Sequence, residues 1–204
     1  MRNSPFEPFA ARRARPASPL LLALASAWIL AGSTAAGAQE PAAETPRDTE
    51  PCRHAPEFRQ LDFWIGAWDV YHAGSGRKLG ENIIQPLLGD CALLENWTGA
   101  GGSSGKSLNF YDRQRQTWRQ VWVSDRANVL DYRHGEFRDG AMRFRGITIG
   151  EGGDTTLQKL TFFHVAPDTV RQVMESSADG GATWSTDWVG IYVRRPAADQ
   201  HQEE

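Results

Sequence analysis

The sequence predicts an all-β chain: a single antiparallel up-and-down β-barrel of about ten strands, with a short helical turn on its N-terminal side. Three observations lead there. The stretch Asp62-Phe63-Trp64-Ile65-Gly66-Ala67-Trp68-Asp69-Val70 runs a short apolar turn into a permissive glycine and places an indole two residues later, where alternation begins. Short extended runs then follow one another, separated by explicit turn signals. No long helical period interrupts them, so hairpin connections are the economical topology, and closure into a barrel removes exposed edges.

In chain order, residues 1–38 read as an export signal. Arg12, Arg13 and Arg15 form a basic start, Leu20 to Leu30 is apolar apart from Ser26, and Ala36-Gly37-Ala38 supplies a small-x-small cleavage site before Gln39. That run is shorter than the about 20 residues of a membrane span. Ala14-Arg15-Pro16 fits a twin-arginine motif poorly after Arg12-Arg13, and no cysteine at the cleavage point offers a lipid anchor. The expected product is periplasmic or secreted, with no membrane span after cleavage.

Residues 39–51 are a polar, proline-rich tether with nothing to bury, 52–195 suit one domain, and 196–204 form a polar tail expected to be flexible. The whole chain has a formal charge of −3, and the signal carries away four Arg against one Glu, so the remainder is more acidic still. Nucleic acid and anionic membrane surfaces favour the opposite sign, and neither is expected as a partner.

Cys52 and Cys91 are the two cysteines. In an exported chain an even count reads as a disulfide, here closing a loop of about 40 residues and contributing about 3–4 kcal/mol, mostly through the unfolded state. It would staple the pre-barrel segment onto an early strand. A reactive or metal-binding pair is the alternative, but no neighbouring His or Cys has ligand spacing.

Pro56 to Phe63 looks helical, as a lid below the barrel. The extended runs are 67–72, 79–87, 91–98, 105–112, 117–124, 127–134, 140–149, 155–165, 169–176 and 184–195. Between them stand Ala73-Gly74-Ser75-Gly76, Leu88-Gly89-Asp90, Gly99 to Gly102, Asp112 to Gln116, Asp139-Gly140 and Gly150 to Asp154. Asp139-Gly140 between two apolar-patterned runs is the strongest of these hairpin signals.

Period-2 alternation puts Trp118, Gln120 and Trp122 on one face, opposite Arg119, Val121 and Val123. Two indoles flanking one amide fit the wall of an apolar pocket with a single polar handle, and they also fit a filled core. Trp97 shares a face with Glu95. In Ser107-Leu108-Asn109-Phe110-Tyr111, Leu108 and Phe110 are expected to pack while Ser107, Asn109 and Tyr111 point oppositely; pattern alone does not say which face looks inward. The lumen candidates are Glu95, Trp97, Asn109, Tyr111, Trp118, Gln120 and Trp122.

Chemical signatures are sparse. Ser177-Ala178-Asp179-Gly180-Gly181-Ala182-Thr183-Trp184 fits an Asp-box, but one copy without a repeat is a hairpin, with Asp179 capping the turn and Trp184 packing over it. His54, His72, His134, His164 and His201 show no i,i+2 or i,i+4 pair, so no metal site is predicted. His164, ending a Phe-rich strand, is the one weak candidate for a haem or metal ligand. Glu95 and Glu175 could act as acid or base in a dry lumen, where burial raises a pKa. No Gly-x-Ser-x-Gly elbow occurs, and Gly101 to Ser107 lacks phosphate-loop spacing.

Phe63 to Val70, Gly89 to Trp97, Ser107 to Asp112 and Trp118 to Val123 together resemble a group of uncharacterised exported bacterial proteins of the lipocalin-like, calycin type, across roughly residues 52–195. The calycin pattern pairs the Gly-x-Trp indole, here Gly66 and Trp68, with a basic residue of the last strand. The resemblance implies Arg194 or Arg195 over Trp68, a cation–π contact of about 1 kcal/mol or more. Such a barrel is also distantly similar to nitrobindin-like haem proteins, whose axial histidine lies near the start of the final strand; Ser185-Thr186-Asp187-Trp188 has none there.

The expectation is therefore an exported protein, more readily a binder than an enzyme, holding a small apolar or amphipathic molecule in its lumen without a cofactor, as a monomer or dimer. The alternatives are a haem-binding or isomerase-type barrel and a non-catalytic structural or interaction module.

Overall fold

The computed structural model describes residues 50–196. The expected export signal, all but the last two residues of the tether and all but the first residue of the tail lie outside the described residues. Ten strands follow: β1 Gly66–His72, β2 Lys78–Leu87, β3 Ala92–Gly99, β4 Ser104–Asp112, β5 Thr117–Ser124, β6 Val129–Arg138, β7 Ala141–Ile149, β8 Thr155–Ala166, β9 Thr169–Ser177 and β10 Ser185–Arg194. Each pairs antiparallel with its sequence neighbours, and β1 pairs with β10 to close the barrel. Before them come a short helix, Pro51–His54, and two 3₁₀ turns, Pro56–Arg59 and Asp62–Trp64, where one helical lid was expected.

The largest boundary difference is β6, expected over 127–134 and running Val129–Arg138. His134 and Gly135 read as a strand end in the sequence. They are instead a bulge: the β6–β7 register shifts between Arg133 and Glu136, and His134 has a φ of +52°. The chain re-enters the sheet beyond it. The Asp139-Gly140 hairpin has φ of +50° and +69°, the left-handed pair that a two-residue turn between twisted strands requires.

One contact reinforces the closing β1–β10 ladder. Trp68 is fully buried and stands opposite Arg194 in the β1–β10 register. The Arg194 guanidinium lies 4.1 Å from the indole centroid. It also donates to the carbonyls of Ile65 at 2.7 Å, Phe63 at 3.3 Å and Pro167 at 3.1 Å. Trp68 Nε1 donates back to the Trp64 carbonyl at 2.8 Å. Gly66 is required here: its φ is +131°, and a Cβ would lie 2.3 Å from Arg194 Nη1. Arg195 takes another role, pairing on the outer surface with Asp69 and Glu81.

Phe58 and Trp64 from the two 3₁₀ turns, with Leu61 between the turns, fill the floor of the barrel, where Trp64 packs on Phe162 at 4.4 Å. A disulfide joins Cys52 to Cys91 at the foot of β3, with the Cα atoms 4.9 Å apart. Arg53 and Arg59 donate to the side chain and carbonyl of Asp90 beside it, tying the lid down a second time. The Asp-box forms a capped turn: Asp179 accepts from the Thr183 amide at 2.9 Å and hydroxyl at 2.6 Å, while Gly180 and Gly181 take positive φ. These donors, above all those of Thr183, hold the Asp179 carboxyl well below its ordinary range. Trp184 folds under Lys159, whose ammonium lies 3.5 Å from the ring centroid.

In one strand the polar face is the inward one, a choice the alternation left open. In β4, Ser107 and Asn109 are buried in the lumen, whereas Leu108 is 39% exposed and Phe110 is only partly covered. Hydrophobicity would turn the strand the other way. The register opposite Glu95 and Gln120 gives Ser107 and Asn109 hydrogen-bond partners, which removes the penalty for burying them.

Truncating Trp68 to Ala removes the plug, the cation–π face and one end of the closing contact together. Trp68→Ala is expected to destabilise the barrel by about 3–5 kcal/mol, read as a shift of the urea midpoint. A parental midpoint would refute this account of closure.

Candidate functional site

The register stacks the lumen in three levels. On β3 they are Leu93, Glu95 and Trp97; on β5 they are Trp118, Gln120 and Trp122. The lowest level is the apolar floor. The middle level is a belt of buried polar side chains, and the upper level is a chamber of aromatic rings.

The belt is one connected network. Gln120 Nε2 donates to Asn109 Oδ1 at 2.7 Å, Asn109 Nδ2 to Ser107 Oγ at 2.8 Å, and Ser107 Oγ to Glu95 Oε2 at 2.6 Å. From the other side Asn82 Nδ2 donates to Glu95 Oε1 at 2.7 Å and to the Tyr192 hydroxyl at 3.3 Å. Tyr192 donates in turn to Gln172. Burial drives the Glu95 carboxyl above its ordinary pKa, and the donors from Ser107 and Asn82 pull the other way. Burial likewise pushes the Tyr192 phenol up, with the charge of Glu95 adding to it.

Above the belt lies a cavity of about 370 Å³. Its aromatic wall is Trp97, Trp122, Tyr132, Trp188 and Tyr192, with Leu130, Leu160 and Met174 between them and Glu95, Gln120 and Gln172 beneath. Inward glycines keep this space open. A Cβ on Gly80 would meet the Trp97 ring at 2.8 Å, on Gly105 the Trp122 ring at 2.2 Å, on Gly190 the Trp188 ring at 2.0 Å, and on Gly146 the Tyr132 ring at 2.9 Å. Each ring thus sits against a stretch of wall that carries no side chain. Among the described residues the Tyr132 hydroxyl is buried without a hydrogen-bond partner.

No protein-family model matches this chain, and no curated protein matches it.

Of the seven lumen candidates, Glu95, Trp97, Gln120 and Trp122 line the cavity, while Asn109 supports it from within the belt. Trp118 and Tyr111 lie lower. Trp118 Nε1 donates to Gln60 Oε1 at 3.0 Å and the Glu57 carbonyl at 3.2 Å, and Tyr111 packs edge-on against Phe58 at 5.4 Å. They fix the lid instead of forming the pocket wall, because β5 advances one level every two residues. Asn82, Ser107, Tyr132, Gln172, Met174, Trp188 and Tyr192 complete the site, and the sequence reading did not select them. The inward glycines were the available signal: each is a missing side chain on the lumen face of a strand.

The remaining ionisable candidates stand elsewhere. Glu175 pairs across to Lys159 and Thr186, on the face opposite inward Gln172 and Met174, so it is not a partner of Glu95. His164 is exposed at the lid end, stacked on Phe63 with centroids 5.0 Å apart. The cavity wall contains no histidine, so these residues do not fit a histidine-ligated haem. Among the described residues no cluster of His, Cys, Asp or Glu could hold a metal ion.

A raised carboxyl pKa contributes stability that is fully present below the ordinary glutamate value and is lost as pH rises through the raised one. The stability difference between Glu95→Gln and the parent is therefore expected to move in the variant's favour as pH rises from the ordinary glutamate range, in urea titrations at a series of pH values. A difference independent of pH would show that Glu95 is not desolvated as described. A second expectation concerns the glycine wells. Gly105→Val drives the Trp122 ring into the lumen, with about 1–3 kcal/mol of destabilisation and an altered near-ultraviolet circular dichroism spectrum; an unchanged spectrum would count against the wells.

Proposed function

We propose that this chain is an exported binding protein that holds a small apolar or amphipathic molecule in its barrel lumen. The observation that carries the reading is the cavity, with aromatic rings drawn back onto glycines and a polar network confined to one end. Small-molecule sites have this form: apolar walls for affinity and a few convergent polar groups for orientation. A structural or interaction module would be better served by a filled lumen, since unfilled apolar volume is destabilising.

Export follows from the signal-like residues 1–38, and the Cys52–Cys91 disulfide is compatible with an oxidising compartment such as the periplasm. No helix among the described residues is long and apolar enough to cross a membrane. The likeness to lipocalin-like exported bacterial barrels supports the same reading. An isomerase-type enzyme is the second reading, favoured by one feature, the buried Glu95 carboxyl beneath the cavity.

Native mass spectrometry of protein purified from periplasm is expected to show a co-purifying small molecule. Met174→Trp, which fills the chamber from β9, is expected to lose that mass and to weaken binding of an environment-sensitive apolar dye while the protein remains folded. A clean mass for the parent together with dye binding that Met174→Trp leaves unchanged would overturn the proposal.

A further inference from the structure

The lumen is a binding site on the reading above, and its chemistry narrows what it binds. Glu95 is the only carboxyl of the cavity wall, and no Lys, Arg or His lines the chamber. The belt is polarised towards it. Gln120, Asn109 and Ser107 form a run of donors ending on one carboxyl oxygen, and Asn82 donates to the other. Each oxygen receives one protein donor, and a carboxylate oxygen has room for another.

Around this acceptor stand Trp97, Trp122, Trp188 and Tyr132, each in close contact with a glycine of the wall. Ring faces carry the negative side of the aromatic quadrupole and attract cations, most strongly in tryptophan. The Tyr132 hydroxyl, buried without a partner, is a further oxygen for a donor to reach. An anionic headgroup would meet Glu95 with no basic residue to offset it, a repulsive arrangement that discriminates against fatty acids and other carboxylates. An entirely apolar molecule would leave the carboxyl without a counter-charge and the Tyr132 hydroxyl without a partner.

We propose that the lumen takes an organic cation, an amine or quaternary ammonium with an apolar body, whose charged head meets the Glu95 carboxylate within the cage of Trp97, Trp122, Trp188 and Tyr132. The apolar body lies against Leu130, Leu160 and Met174. Burial opposes ionisation of Glu95 in the empty lumen, and the arriving cation supplies the missing counter-charge.

The test is isothermal titration calorimetry of the disulfide-bonded protein with three probes of matched size: 2-phenylethylamine, 2-phenylethanol and phenylacetate. The amine is expected to bind about tenfold or more tightly than the alcohol, and phenylacetate more weakly than either. Glu95→Gln is expected to abolish the amine's preference over the alcohol. Should that variant fail to fold, the ranking of the three probes on the parent decides alone. Equal affinity for amine and alcohol, or phenylacetate binding as well as the amine, overturns the cation inference and leaves the lumen reading intact. Failure of all three to bind removes the lumen reading, and the cation inference with it.

Discussion

The contact of Arg194 with Trp68 is the constraint on which the rest of the barrel depends. An up-and-down sheet has two edges, and here they are β1 and β10, the first and last strands to be made. Their pairing spans the longest sequence separation in the fold and is the least helped by local geometry. One guanidinium holds that seam by covering the indole of β1 and donating to three carbonyls, two in the lid and one in the β8–β9 turn. Seam, floor and lid are therefore stabilised together. Gly66 is part of the same device, because any Cβ there would stand where the guanidinium lies.

With the floor sealed, the lumen above is a separate chemical environment. A filled apolar barrel needs no polar belt, and a buried polar belt is tolerated only when its members satisfy one another. Seven side chains from β2, β3, β4, β5, β9 and β10 join in one chain of hydrogen bonds around Glu95, which leaves only the Asn82 Oδ1 of the belt buried without a partner among the described residues. The belt draws Ser107 and Asn109 inward and leaves Leu108 facing out, against the hydrophobic preference of that strand. The chamber reflects the same logic of complementarity between strands: large rings on β3, β5, β6 and β10 need bare wall, and glycines on the lumen face of β2, β4, β7 and β10 supply it.

Much of the architecture was legible in the chain alone. Turn residues such as Asp139-Gly140 mark the hairpins because few residues adopt left-handed backbone, and Gly66-Ala67-Trp68 marks the start of the barrel because a turn and an indole must coincide there. The bulge at His134-Gly135 was hidden, since it ends the alternation of one run without ending the strand. Glu95, Trp97, Gln120 and Trp122 were readable as a possible pocket wall because alternation places them on one face of each strand. Trp118 and Tyr111 share those faces yet lie a level lower, and alternation says nothing about height in the barrel.

The sequence by itself determined the strands, their hairpin order and the cysteine pairing, all of which depend on local backbone preference or on a count of two. Only the tertiary structure decided which face of β4 looks inward, which of Arg194 and Arg195 covers Trp68, and that Glu95 has no counter-ion in the lumen. These depend on shear: closing ten tilted strands sets which level of each strand meets which level of its neighbours. That alignment belongs to the whole barrel and to no single segment of the chain.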